Sequence, residues 1–114
     1  AEALQACEAA IRPENPMGDV FAAHAKVFDK HGFSHARLKA CGYGMGAIYN
    51  PIWVDFPMFY EGNPLLMQAN QVFFLHMILM DSDSGDAMTL GHSVLVKPDG
   101  IERLSRHGLG LITC

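Results

Sequence analysis

Apolar residues recur at two different periods along this 114-residue chain. Val20, Phe21, His24, Val27 and Phe28 fall at i, i+1, i+4, i+7 and i+8, one stripe of a helix. The stripe predicts a helix over 17–31. Asn15-Pro16 ahead of it offers a cap and a residue suited to the first helical position. Lys30-His31-Gly32 puts cations at the negative end and a glycine just beyond it. Residues 1–11, rich in Ala, Glu, Gln and Leu, predict an earlier helix that stops at Arg12-Pro13. It opens without a start signal, as a helix cut from a longer one would.

The second half reads as strands. Residues 71–80 (QVFFLHMILM) are a dense apolar run, the pattern of a strand buried on both faces. The cluster 81–86 reads as a turn, 87–97 as a strand, Pro98-Asp99-Gly100 as a tight turn and 101–104 as a short third strand. Between the halves, 41–64 is punctuated by Gly and Pro and crowded with Tyr43, Tyr49, Trp53, Phe56, Phe59 and Tyr60. It reads as a long, aromatic-lined loop, and such loops usually carry function. The expected fold is α+β, one domain over 1–114, with two N-terminal helices packed on an antiparallel sheet.

Composition narrows the function. Half the residues are hydrophobic and 18% are charged, which is globular rather than disordered. The net charge is −4 and no Lys/Arg run stands out, against nucleic-acid binding. The longest nearly uncharged apolar run, 72–80, is far short of the ~20 residues of a membrane helix. Residues 1–11 carry Glu2 and Glu8 and no basic stretch, unlike a signal peptide. Cys7, Cys41 and Cys114 form neither a disulfide framework nor a zinc pattern; reduced thiols in a cytoplasmic protein are expected. Asp81, Asp83 and Asp86 miss the spacing of a calcium loop and read as a hairpin turn.

His76, in the middle of the most apolar run, is either a core histidine or a base whose burial favours the neutral form near pH 7. Tyr43 offers a phenol to a substrate carbonyl or carboxylate. Tyr49, Trp53 and Asp55 are candidates to line a small-molecule pocket, against a plain surface loop. His92 faces the same choice as His76. The two could also sit on adjacent strands and, with a third histidine, bind a metal ion.

Several short stretches resemble one family when taken in order. Ala9-Ala-Ile-Arg-Pro13 is similar to a helix end reading IRPG. Gly42-Tyr-Gly-Met-Gly46 resembles G-H-G-I-G, and Asn70-Gln-Val-Phe-Phe-Leu-His76 resembles G-M-V-F-T-I-E. Gly91-His-Ser-Val-Leu-Val96 resembles E-D-T-V-L-V, and Gly100-Ile-Glu-Arg-Leu-Ser105 resembles G-x-E-x-L-T. Together they resemble the C-terminal half of the pita-bread fold of methionine aminopeptidase, aminopeptidase P, prolidase, creatinase and ectoine hydrolase. Tyr43 with Tyr49, Pro51 and Trp53 is most similar to the ectoine-hydrolase branch.

The resemblance implies half of a pita-bread fold and a hydrolase of a small amide, a dipeptide or an ectoine-like cyclic amidine. Peptidases of this fold hold two metal ions with two Asp, one His and two Glu. The Asp pair belongs to the other half. Here Tyr43 stands at the His position, His76 at the first Glu, and Gly91 (or His92, with one residue of slip) at the second. No metal cofactor is therefore expected unless the other half supplies its Asp ligands. His76 becomes the catalytic residue, with Tyr43, Tyr49, Trp53, Asp55 and His92 binding the substrate. The alternative is a non-catalytic remnant or binding module that pairs as a homodimer through 71–80. Its contacts would then be Phe73, Leu75, Met77 and Leu79, or else Val72, Phe74, His76 and Ile78.

Overall fold

The computed structural model describes residues 1–49 and 51–111, so Cys114 lies outside the described residues. Helix α1 spans Glu2–Ala10 and α2 spans Met17–Lys30. Five strands follow: β1 Ala40–Gly44, β2 Asp55–Tyr60, β3 Val72–Met80, β4 Ala87–Lys97 and β5 Gly100–Arg103. They form one antiparallel sheet in the order β2-β1-β3-β4-β5.

Both helices lay their apolar stripes on one face of this sheet. Leu4, Cys7 and Ile11 from the first, and Met17, Val20, Phe21 and Phe28 from the second, meet Phe59, Phe73, Leu75, Met77, Val94 and Val96. Each large apolar side chain fully removed from water there stabilises the fold by about 1.5–3 kcal/mol.

The start of α2 differs from its sequence signal. Asn15 does not cap it; its Nδ2 donates to the Ala10 carbonyl at 3.2 Å and so closes α1. The first amides of α2 are instead satisfied from the loop 63–65. Met17 N donates to Leu65 O at 2.8 Å and Gly18 N to Asn63 O at 2.9 Å. The end matches expectation: Gly32 has φ +80° and Phe33 N donates back to Phe28 O at 2.8 Å.

The predicted loop over 41–64 is corrected: it holds β1 and β2. Its glycines permit close approach rather than breaking structure. A Cβ at Gly42 would lie 2.6 Å from the Phe74 carbonyl oxygen, so only glycine lets β1 pair there. Arg37 pairs with Leu79 in an isolated bridge and Gly42 with Leu75, so the chain leading into β1 carries one residue more than β3 across this span, a bulge.

Strand β3 is corrected too. It is buried on alternate residues only, Phe73, Leu75 and Met77 facing the helices. It is also the central strand; the sheet's edges are β2 and β5, so β3 offers no edge for pairing. The turn at 81–86 is as expected, closed by Asp81 N to Asp86 O at 2.8 Å.

Candidate active site

Alternation along β3 puts Val72, Phe74, His76 and Ile78 on the face the helices leave uncovered, each half-buried. Directly opposed residues of antiparallel strands share a face. Tyr43 of β1 opposes Phe74; Ser93 and Gly91 of β4 oppose Phe74 and His76. Three strands therefore bring Tyr43, Phe74, His76 and Gly91 together.

Their rings form one cluster. Ring centroids lie 5.6 Å apart for Tyr43 and Phe74, 5.1 Å for Phe74 and His76, and 6.4 Å for Tyr43 and His76. Trp53, on the connection from β1 to β2, donates Nε1–H to the Tyr43 hydroxyl at 3.2 Å. This bond ties the loop to the sheet face. A Cβ at Gly91 would lie 2.5 Å from Phe74 Cζ and 2.6 Å from the Leu75 carbonyl oxygen. The Phe74 ring thus occupies the space a side chain at this position would need. Burial lowers the His76 pKa below its ordinary value, so its imidazole is neutral at pH 7.

The remaining candidates stand apart. Asp55 accepts a hydrogen bond from the Phe56 amide at 2.8 Å and lines a shallow cavity of about 270 Å³ with Gly44, Met45, Asn70 and Gln71. Tyr49 is 80% exposed. His92 opposes Leu75 and so lies on the helix-covered face, fully buried. Its Nδ1 is 2.8 Å from Glu8 Oε1, and Arg103 holds the same carboxylate at 2.9 and 2.6 Å. Burial would raise the Glu8 pKa; the Arg103 guanidinium and His92 outweigh that and hold it below the ordinary range. The sheet separates His92 from Tyr43 and His76, so the three-histidine metal site built on His76 and His92 does not form. Among the described residues, the group whose metal-ligating atoms converge is His35, Asp81 and Asp83, at the β3–β4 turn.

Sequence reasoning gave Phe74 only as a dimer contact beside His76, and it missed the Glu8–Arg103 pair. Both had a signal. Phe74 sits two residues from His76, hence on its face, and Glu8 shares the buried α1 stripe with Leu4 and Ile11.

Residues 1–98 match the profile of Metallopeptidase family M24, and the chain belongs to that family. The fold is similar to that of the dipeptidase PepE from Mycobacterium ulcerans (TM-score 0.86, 21% identity, 97% of this chain and 29% of that one). It is also similar to the X-Pro aminopeptidase from Thermotoga maritima (0.84, 15% identity, 96% of this chain and 30% of that one). The methionine aminopeptidase from Rickettsia prowazekii is more distant in shape (0.67, 19% identity, 89% and 47%). The chain spans about 30% of the first two proteins, and its architecture is half of the pita-bread fold. Comparison with curated proteins gives no match. Among the described residues no helix is long and apolar enough to cross a membrane.

Proposed function

We propose that the chain is the C-terminal half of the catalytic domain of a creatinase- or prolidase-like hydrolase. Its substrate would be a small amide, a dipeptide or an ectoine-like cyclic amidine. The observation that carries this reading is convergence. Tyr43, His76 and Gly91, which resemble the family's His and two Glu positions, come from three strands onto one uncovered face. The names of the similar structures, a dipeptidase and an X-Pro aminopeptidase, support a short peptide or related amide.

A carboxylate-bridged pair of divalent ions does not fit a phenol, an imidazole and a glycine packed against Phe74. In this reading the work falls to the chain's own groups. Neutral His76 takes a proton from the water that attacks a trigonal carbon, and the Tyr43 phenol donates a hydrogen bond to the substrate. Trp53, Tyr49 and Asp55 border the approach. Because about 70% of the PepE-like length lies outside this chain, the chain alone is expected not to hydrolyse an Xaa-Pro dipeptide.

Trp53 is the single tryptophan and bonds to Tyr43, so its emission tests the reading. Titration with an Xaa-Pro dipeptide or a cyclic amidine is expected to give a saturable shift that His76→Ala abolishes. No saturable shift with either ligand would overturn the proposal.

A second reading is a non-catalytic module that pairs with a second copy. The uncovered sheet face and the exposed Ile48, Ile52, Trp53 and Phe56 favour it. Of the two contact sets, Val72, Phe74, His76 and Ile78 then line the dimer. Light scattering that gives a monomer at micromolar concentration removes this reading. A cytoplasmic setting fits Cys7 and Cys41, both buried free thiols.

A further inference from the structure

Two histidines away from the Tyr43–His76 face pack on each other, each with its Nδ1 against an acceptor oxygen. His92 is fully buried and its Nδ1 faces the Glu8 carboxylate at 2.8 Å. An ionised carboxylate only accepts, so Nδ1 carries a proton, and in the neutral ring Nε2 keeps its lone pair. That buried Nε2 has no hydrogen-bond partner among the described residues. His107, on the segment after β5, packs on His92 with ring centroids 4.9 Å apart and planes tilted by 52°. Its own Nδ1 lies 3.2 Å from the Gly108 carbonyl oxygen, another pure acceptor. The same argument leaves a lone pair on His107 Nε2.

As two neutral rings, neither has a proton to give the other. A buried polar atom in that state calls for a bound water or ion. An imidazole whose Nδ1–H is tied to a carboxylate or carbonyl while Nε2 points elsewhere is the arrangement metal-ligating histidines adopt. With metal–nitrogen bonds of about 2.0–2.1 Å, two imidazoles on one ion have centroids about 5 Å apart. The observed 4.9 Å falls at that separation, which two rings in plain contact also share.

We infer that His92 and His107 form a site for a divalent transition cation of the zinc class, with its other positions open to water or a further ligand. Two imidazoles select zinc, copper or nickel over calcium or magnesium. Glu8 is a positioning residue that fixes the His92 tautomer, and Arg103 offsets the charge of Glu8. The site lies across the sheet from His76 and is independent of the peptidase metal positions. A bound ion fastens the segment after β5 to β4, and it stabilises the fold by mass action.

Isothermal titration of the chelator-stripped chain with zinc chloride tests this. One ion per chain is expected. His107→Ala should weaken binding at least about tenfold. Because His107 is exposed, that variant keeps the circular-dichroism spectrum of the parent. His35→Ala should leave binding unchanged. Long-range proton–nitrogen NMR adds a readout that needs no variant: zinc should move Nε2 of His92 and His107 while both Nδ1 stay protonated. Absence of zinc binding, binding indifferent to His107→Ala, or shifts at His35 in place of His92 would each overturn the inference.

Discussion

The two faces of the β1-β3-β4 sheet are built from alternate residues of the same strands, yet they hold different things. Under the helices, Phe73, Leu75, Met77, Val94 and Val96 are buried against apolar side chains, and the histidine that the strands place there, His92, is matched by Glu8 and Arg103. On the open face, Tyr43, Phe74 and His76 are joined by ring contacts, with no ion pair among them. A charge on the covered face costs several kcal/mol unless it is paired, so Glu8 is met there by Arg103 and His92. His76, half-buried, can stay neutral and unengaged, which leaves it available to a ligand. Stability and chemistry are thus divided by the two-residue period of the strand.

Neighbouring phenylalanines give the sharpest break of this division. Phe73→Ala on the covered face is expected to cost about 3–5 kcal/mol, and Phe74→Ala on the open face about 1 kcal/mol. Urea unfolding measures both. Equal losses would mean that something in the folded chain packs the open face as tightly as the helices pack the other.

The next effect comes from His24, also on the covered side. It is 1% exposed, between Phe21 and Phe28, with Nδ1 unpartnered among the described residues. Burial, reinforced by Arg37, pushes its pKa down to about 4. The unfolded chain then takes up the proton first as pH falls, near 6.5. Stability is whole above that pH and declines towards about 4, by up to roughly 3 kcal/mol. His76 acts in the same direction. His24→Leu should flatten the decline between about pH 6.5 and about pH 5.5, above the range where carboxylates protonate. A decline unchanged in that variant would mean that His24 is not the source of the acid sensitivity.

Gly91 belongs to the open face, where its missing side chain leaves room for the Phe74 ring. Gly91→Ala is expected to cost about 1–3 kcal/mol through overpacking. In a Phe74→Ala background the cost should fall only in part, because the Leu75 carbonyl at 2.6 Å remains. A fully additive double-mutant cycle would contradict the contact.

Much of this was legible in the sequence. The α2 stripe and Gly32, and the runs that became β3, β4 and β5, are local signals that the fold obeys. Strands β1 and β2 were not legible, because Gly42, Gly44 and Pro57 read as breakers when taken alone. Gly42 is required by the backbone across from it, and Pro57 sits on an edge strand where its missing N–H costs little. Which of Gly91 and His92 would join His76 was also hidden. A slip of one residue in the turn at 81–86 exchanges the faces, and only the β3–β4 register decides it. The Tyr43–His76 pair was legible only through the order of weak motifs, since the two are 33 positions apart.

The smallest effect concerns the bond that ties the aromatic loop to the open face. Tyr43→Phe keeps the ring and its contact with Phe74 but removes the oxygen that accepts Trp53 Nε1–H. Trp53 is 64% exposed, so water takes over much of the lost bond and the stability change should be only about 0.5 kcal/mol. The spectroscopic change should be larger. Freed from Tyr43, the indole is expected to emit further to the red with lower anisotropy. Tyr49→Phe, at a side chain 80% exposed, should change neither. An unaltered Tyr43→Phe spectrum would mean that the loop is not anchored to the sheet. Tyr43, Phe74 and His76 would then form an open surface without the indole wall a small ligand needs.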